Sequence, residues 1–483
     1  MKYVLFVLLG IAAVFVLLVI IAVIRTIAIK VKPNTAESAV SYTKDEEEKY
    51  ARTLSEMIKI PTVSAADGDS LEEFDRLHEV MEKEFPNVHR VMEKKNLNGN
   101  LIFRWKGTDS SKEGILLMGH QDVVPAAETS WEHEPFSGDI EDGKVHGRGA
   151  MDCKNTVMAE FQAVEELIAE GFVPERDIYL ACSVNEEISG TGAPMTVKYL
   201  KDSGVRLAVV MDEGGAIAEG VMPGMDALCA AAGTVEKGFA NIKFTAKSNG
   251  GHSSTPPKNN PFARLAKFIC AVEKKNLFIS SFTEPVEVMF RYIAPYLTFP
   301  LRLMLGNLWL FKPLIKFAMP KISTQAAAFL SCTCVFTMGE GSEAPNVIPD
   351  GAYVIANIRP GIQQSAEECI DILRKTAKKY DVDTEVLEAK DASDVTDYRG
   401  EEFRYLEKCV HEVYPDVCFT PYYCTGGTDC RNYNAVSDSC IRFCPIKLSP
   451  QQLDSMHAAN ENISTDALAG GVKFYKYYLK NHK

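Results

Sequence analysis

Hydrophobic positions follow three different rhythms along this chain. Residues 3–24, YVLFVLLGIAAVFVLLVIIAVI, form one unbroken apolar run between Lys2 and Arg25. As a helix this run would be roughly 33 Å long at about 1.5 Å per residue, enough to cross a bilayer. It predicts a transmembrane anchor over residues 1–32, since a cleaved signal peptide would have a shorter apolar core and a small-residue cleavage site. Lys2 precedes the run and Arg25, Lys30 and Lys32 follow it, so flanking charge does not decide which side of the membrane carries the rest of the chain. A polar linker over residues 33–45 leads into the acidic run 45–48, which reads as a solvated helix start.

Beyond the linker, short apolar runs alternate with helical patterns: ILLM at 115–118, IYLACSV at 178–184 and RLAVVM at 206–211. This second rhythm predicts an α/β domain with a mostly parallel central sheet. Between the first two runs Val157, Phe161, Val164 and Ile168 recur at helical spacing, and Gly171 is placed to end the helix. From residue 237 the order changes. Strand FANIKFTAKS, helix PFARLAKFICAVEKK, strands CTCVFTMG and GAYVIANIRP, helix SAEECIDILRKTAKKY and strand DTEVLEAK follow one another. A β-α-β-β-α-β succession is that of a ferredoxin-like α+β unit. The expected organisation is therefore a catalytic domain in two parts, residues 46–236 and 392–483, with a lid or dimerisation domain, residues 237–391, inserted between them.

Composition narrows the function classes. An apolar share of 46% beside 24% charged residues is that of a globular protein. A net charge of −13 without a sustained basic stripe excludes a nucleic-acid partner. The 13 cysteines follow no disulfide framework, and several lie in apolar stretches, so mostly free thiols are expected. Cys332 and Cys334 share one strand face, and no second pair completes a four-sulfur zinc cage.

Five segments place metal-competent side chains at strand ends or in the turns after them, the edge at which parallel α/β sheets bind ligands. MGHQDVVPA at 118–126 puts His120 and Asp122 on one face of a strand, so that the carboxylate can take the far ring N–H of the imidazole. GRGAMDCKN at 147–155 delivers Asp152 through a glycine-bearing turn just ahead of the predicted helix. SVNEEISG at 183–190 ends an apolar strand with Glu186 and Glu187, a costly pairing unless a cation sits there. VVMDEGGA at 209–216 ends another strand with Asp212 and Glu213, and DSMHAANENI at 454–463 presents His457. Each has a bland reading alone, as a helix cap, surface turn or structural histidine. Together they describe one site. Two zinc ions bring four positive charges; Asp152, Glu187, Asp212 and a bridging hydroxide balance them, with His120 and His457 as neutral ligands. Zinc suits such N and O donors, and Co²⁺ or Mn²⁺ could occupy the same set.

In this order the five segments resemble the aminoacylase and carboxypeptidase family of di-zinc metallopeptidases. DEGGA at 212–216 and the apolar segment at 291–317 look most like its carboxypeptidase S and N-fatty-acyl-amino-acid synthase/hydrolase branch. The resemblance implies one metal on His120 and Asp212 and another on Glu187 and His457. Asp152 would bridge them across a cis peptide to Cys153, and Asp122 would orient His120. Glu213, one residue on, is the other possible register for Asp212. Glu186 matches the general base. His252, in NGGHSSTPP, matches a histidine that stabilises the oxyanion in a partner subunit's site. Asn346 and Arg359 match a grip on the substrate carboxylate, and Gly427 and Thr428 match a glycine-rich loop near the substrate. The expected activity is hydrolysis, reversible where acid and amine accumulate, of the amide bond in N-acyl amino acids. A carboxypeptidase or dipeptidase is the enzyme alternative, and a non-catalytic membrane-tethered binding protein the alternative of another class. A homodimer through the lid domain is implied by the resemblance alone.

Overall fold

The computed structural model describes residues 2–33, 41–64, 66, 68–127, 129–222, 224–275 and 277–483. Residues 34–40 of the expected linker lie outside the described residues. The acidic run after it opens helix Lys44–Ile58, where Thr43 and Glu46 form a reciprocal capping box.

The apolar runs become the middle of one large sheet. Strands β1 (Gly114–His120), β2 (Ile178–Ser183) and β3 (Leu207–Asp212) are parallel, with β1 between the other two. Every residue of β1 and β2 is buried, which is why their sequences are continuously apolar rather than alternating. Farther along, β4 (Cys229–Glu236) pairs in parallel with β5 (Cys418–Cys424), and β6 (Cys440–Arg442) joins β3 to β4, parallel to the first and antiparallel to the second. Strands Glu93–Leu97 and Asn100–Trp105 add an antiparallel hairpin against β2. The sheet is therefore mixed, a correction to the mostly parallel expectation. The missed signal is Asn98-Gly99: both residues take positive φ, as a tight two-residue hairpin requires.

Helix α1 (Lys2–Ala28) is long and apolar enough to cross a membrane. Helix α2 (Lys154–Ala169) buries Val157, Phe161 and Val164 against the central sheet, with Ile168 at the margin, and ends before Gly171 at φ +76°. Helices α3 (Glu284–Ile293), α4 (Phe299–Leu305), α5 (Leu308–Ile322) and α6 (Thr324–Leu330) follow in close succession, and α7 (Thr465–Asn481) packs on α2.

A second, four-stranded sheet has the order Thr333–Glu340, Gly351–Arg359, Phe239–Lys247, Asp383–Lys390, antiparallel throughout. Helices Pro261–Glu273 and Ala366–Lys378 bury Leu265, Phe268, Ile370 and Leu373 against it. This is the β-α-β-β-α-β unit of the sequence, with one difference. Helices α3–α6, within residues 237–391, do not pack on this sheet; Met289, Phe290, Ile293 and Phe329 pack instead on Cys229, Val235, Cys418 and Tyr423 of the larger one. The smaller sheet already has its apolar face covered by its own two helices, so the extra helices bury theirs against β4 and β5. All 13 cysteines are free thiols.

Candidate metal centre

His120 is the last residue of β1, Asp212 the last of β3, and Glu186 and Glu187 lie just past the end of β2. The sheet thus delivers them to one edge. Asp152 reaches the same place from the turn before α2, in which Gly149 sits at φ +86° and a β-carbon there would come within 2.7 Å of Val123. The Asp152-Cys153 peptide is cis. His457 arrives from the turn after Pro450–Ser455 with φ +58°, a left-handed conformation that a non-glycine residue adopts at a cost.

Asp152 lies between two imidazoles. Its Oδ1 is 3.0 Å from His120 Nε2 and its Oδ2 is 3.0 Å from His457 Nε2, while Glu187 Oε2 is 3.1 Å from the same His457 nitrogen. Burial alone would raise the Asp152 carboxyl, but the two histidines hold it well below the usual carboxylate range. His457 is in turn pushed up to about 10 by its hydrogen bonds to Asp152 and Glu187. Around this core burial raises Glu186, Glu213 and Asp212, the last to about 7, and each also feels neighbouring acids. So many carboxyl groups in one buried cleft call for a cation. Glu187 Oε1 is buried and has no hydrogen-bond partner among the described residues, as a ligand oxygen would. Asp152, Glu187 and His457 have donor atoms close enough to share one ion. His120 and Asp152 do so with Cys153, although the Cys153 sulfur also accepts the His120 backbone N–H at 3.1 Å.

At the end of β3 the two adjacent acids have different surroundings. Asp212 does not line the cleft: its Oδ1 accepts the Glu213 N–H at 2.9 Å and its Oδ2 the Cys430 N–H at 2.8 Å. Glu213 lines the cleft together with Asp152 and Glu187. A strand end alternates its side chains, so a shift of one residue exchanges the buried acid for the facing one. Asp122 sits against the His120 ring, as expected, and has a second set of partners. The His120 Nδ1 lies 2.9 Å from the Asp122 carbonyl and 3.4 Å from its carboxylate. That carboxylate accepts the N–H groups of Glu186 and Glu187, both at 3.2 Å, and the Ser64 hydroxyl at 2.7 Å. It fixes the turn carrying both glutamates.

Arg359, Gly427 and Thr428 line the same cleft of about 380 Å³. The Thr428 N–H and hydroxyl are both engaged with Glu236, at 2.8 and 3.2 Å, so this residue anchors its loop. His252 and Asn346 are exposed and do not line the cleft. They lie side by side where Gly251–His252 pairs with Val347–Ile348, and the Asn346 carbonyl accepts the Ser253 N–H at 3.0 Å.

Several residues of the site were not singled out from the sequence. Lys390 and Arg431 join Arg359 around the Phe239 ring, 5.3, 5.9 and 5.8 Å from its centroid, making the cleft cationic at this end. They come from distant segments, and only the fold brings them together. Asp429, pushed up to about 6 by burial, accepts the Ser183 hydroxyl at 2.5 Å in the cleft wall. Glu461 supports the metal loop: its Oε1 accepts the N–H groups of Gly149, Met151 and Asp152 at 3.1, 2.8 and 3.1 Å, and its Oε2 pairs with buried Arg148 at 2.7 Å. Its signal was the NENI sequence just after His457. Glu461→Gln keeps one acceptor oxygen but turns an NH2 donor toward either the three N–H groups or the Arg148 guanidinium, and is expected to weaken metal affinity about 10- to 100-fold, measured by titration against a competing chelator.

An α/β sheet edge carrying carboxylates and imidazoles around a shared Asp defines a metallohydrolase type of centre. The sequence pattern of Peptidase family M20/M25/M40 matches residues 116–481, and the chain belongs to that family. It is 33% identical over 480 residues to the N-fatty-acyl-amino acid synthase/hydrolase PM20D1 of Xenopus tropicalis, covering 96% of this chain and 93% of that protein. Carboxypeptidase S of Saccharomyces cerevisiae is 27% identical, with 89% and 83% covered. Among solved structures, an M20 family metallo-carboxypeptidase of Sulfolobus solfataricus matches with a TM-score of 0.66 at 20% identity, over 89% of this chain and 98% of that one. Human carnosine dipeptidase 1 matches with 0.61 at 15%, over 90% and 97%.

Proposed function

We propose that this chain is a metal-dependent amidohydrolase that cleaves the amide bond of N-acyl amino acids, reversibly where acid and amine accumulate. The observation that carries this reading is the union of two cavities. The metal cleft shares Glu213, Gly214, Tyr422 and Met456 with an adjoining, mostly apolar cavity of about 500 Å³, walled by Met222, Met289, Phe290, Ile293, Phe329 and Ile446. A substrate with an apolar acyl chain and a free carboxylate fits this division: the chain enters the apolar cavity, the carboxylate meets Arg359, Lys390 and Arg431, and the amide lies beside Asp152 and Glu186. The size and apolarity of the second cavity favour an acyl chain over a second polar amino acid.

In this reading His120, Asp152, Glu187, Glu213 and His457 would hold two divalent ions, preferably zinc, with His120 and Glu213 serving one, Glu187 and His457 the other, and Asp152 shared. Ions held there supply Lewis acidity at neutral pH. Glu186 takes the proton of the attacking water and returns it to the departing amine nitrogen. His252, with Asn346 beside it, completes the site of a second copy of the chain through a lid-domain dimer. Helix α1 anchors the enzyme in a membrane as a single pass.

The test is a comparison of metal-loaded full chain on N-acyl glycines of two to eighteen acyl carbons and on dipeptides. The expected result is a kcat/KM that rises with chain length and collapses on chelation, with metal restored by added zinc. In Phe290→Ala/Phe329→Ala the chain-length preference should flatten. A preference for dipeptides would overturn the acyl reading. Two metal equivalents are expected in the wild type, fewer in Glu213→Gln, and two in Asp212→Asn.

A further inference from the structure

We propose that the outer face of helices α4 and α5 is seated in the surface of an anionic lipid bilayer, beside the point where α1 leaves it. The proposal rests on the reading of α1 as a membrane span. In α5 only Leu308 and Ile315 are buried. Trp309, Pro313, Lys316, Phe317, Pro320 and Lys321 fall at helical spacing along the opposite stripe. Trp309, Leu314 and Phe317 are 48%, 53% and 67% exposed, Ile322 at the helix end 76%, and Phe299 on α4 45%. A continuous apolar surface of this kind marks an association site. Its chemistry is that of a membrane interface, where a Trp ring and long Lys side chains bridge apolar and aqueous layers. Lys321 Nζ lies 3.5 Å from the centroid of the Phe317 ring, its charge carried just above the apolar stripe.

Charge selects the same partner. Residues 288–339 contain no Asp or Glu but contain Arg291, Arg302, Lys312, Lys316 and Lys321, in a chain of net charge −13. Arg302 is buried and Lys312 pairs with Glu287, which leaves Arg291, Lys316 and Lys321 facing outward with Arg25, Lys30 and Lys32 of the adjoining segment. A local cationic surface on an acidic protein complements anionic headgroups.

Continuity with α1 fixes the location. Residues 3–17 of α1 are exposed, whereas Ala22 and Thr26 are fully buried against the start of α5. Buried Asn307 donates through Nδ2 to the Thr26 hydroxyl at 2.9 Å and the Ala22 carbonyl at 3.3 Å. The Lys32 N–H donates to the Pro295 carbonyl at 3.1 Å. The α3–α5 segment is thus attached to the last turns of the span. It also reaches the substrate cavity: Ile293 walls that cavity, and Ala294 next to it lines a groove with Arg25, Ala28 and Ile29. Seating the segment in lipid places the acyl cavity next to the phase in which acyl chains are stored.

The full chain is reconstituted into phosphatidylcholine vesicles with brominated acyl chains, with and without phosphatidylserine. The chain has three tryptophans, and Trp105 is buried in the core, so Trp309 can be isolated by difference. The expected result is bromolipid quenching that is lost in Trp309→Phe, increases with phosphatidylserine, and falls at least twofold in Lys316→Glu/Lys321→Glu. Quenching unchanged by Trp309→Phe overturns the proposal, as does quenching indifferent to both phosphatidylserine and the charge reversals. Resistance to alkaline carbonate extraction reads the α1 span separately: release would remove the span, whereas a carbonate-resistant chain with unquenched Trp309 removes the docked face and leaves the span intact.

Discussion

Glu186→Gln is expected to lower kcat by about 10²- to 10⁴-fold, the usual worth of a positioned general base, and to leave metal content unchanged. The geometry separates the two adjacent glutamates. Asp122 holds both backbone N–H groups with one carboxylate, at 3.2 Å each, so the turn is fixed without either side chain. Glu187 then extends to His457, 3.1 Å away, and Glu186 points into the cleft. Burial and the nearby Asp429, Glu213 and Asp152 carboxyls raise the Glu186 carboxyl well above its ordinary value, although His120 opposes this. Gln keeps the shape and loses the proton transfer. Because that interaction belongs to the transition state, kcat and kcat/KM should fall together while KM moves little. Metal analysis beside steady-state kinetics on an N-acyl amino acid checks both halves. Loss of metal together with activity would make Glu186 a ligand, and retained turnover would remove it from the chemistry.

The parts of this site legible in the sequence are those carried by local pattern. His120, Glu186 and Glu187 follow apolar runs that can only be buried strands, and the strand ends where the acids begin. Asp152 precedes a helix whose face was readable from Val157, Phe161 and Val164. What the sequence could not fix was direction. At the end of β3 two acids stand together, and the choice between Asp212 and Glu213 depends on which one meets the Cys430 N–H from a loop more than two hundred residues away. The cationic end of the cleft was likewise hidden, because Phe239, Arg359, Lys390 and Arg431 approach each other only through the pairing of the second sheet and the loop after β5. The helices α3–α6 show the same limit for packing. Their apolar faces were evident, but the surface that accepts them is set by which sheet face remains open.

The largest stability effect is expected at a pair that carries no chemistry. Arg442, fully buried on β6, donates from Nε and Nη2 to Glu236 Oε1 at 2.8 and 2.6 Å and from Nη1 to the Cys440 carbonyl at 2.7 Å. Glu236 Oε2 accepts the Thr428 N–H at 2.8 Å, so the pair fastens the glycine-rich loop to the sheet. Arg442→Leu leaves the buried carboxylate only the longer contact to Arg431, 3.9 Å away, and should cost about 3–5 kcal/mol of unfolding free energy, read as a shift in denaturant midpoint at constant slope. Removing both charges, Glu236→Leu with Arg442→Leu, should restore most of that loss, since an apolar pair of similar volume avoids the desolvation of two ions. Activity should not return with it, because Thr428 then lacks the acceptor for its N–H and the loop carrying Gly427 is no longer held against the cleft. If the double variant recovers stability and turnover together, the pair is only a strut of the sheet; if stability alone recovers, the buried charges are there to position the loop.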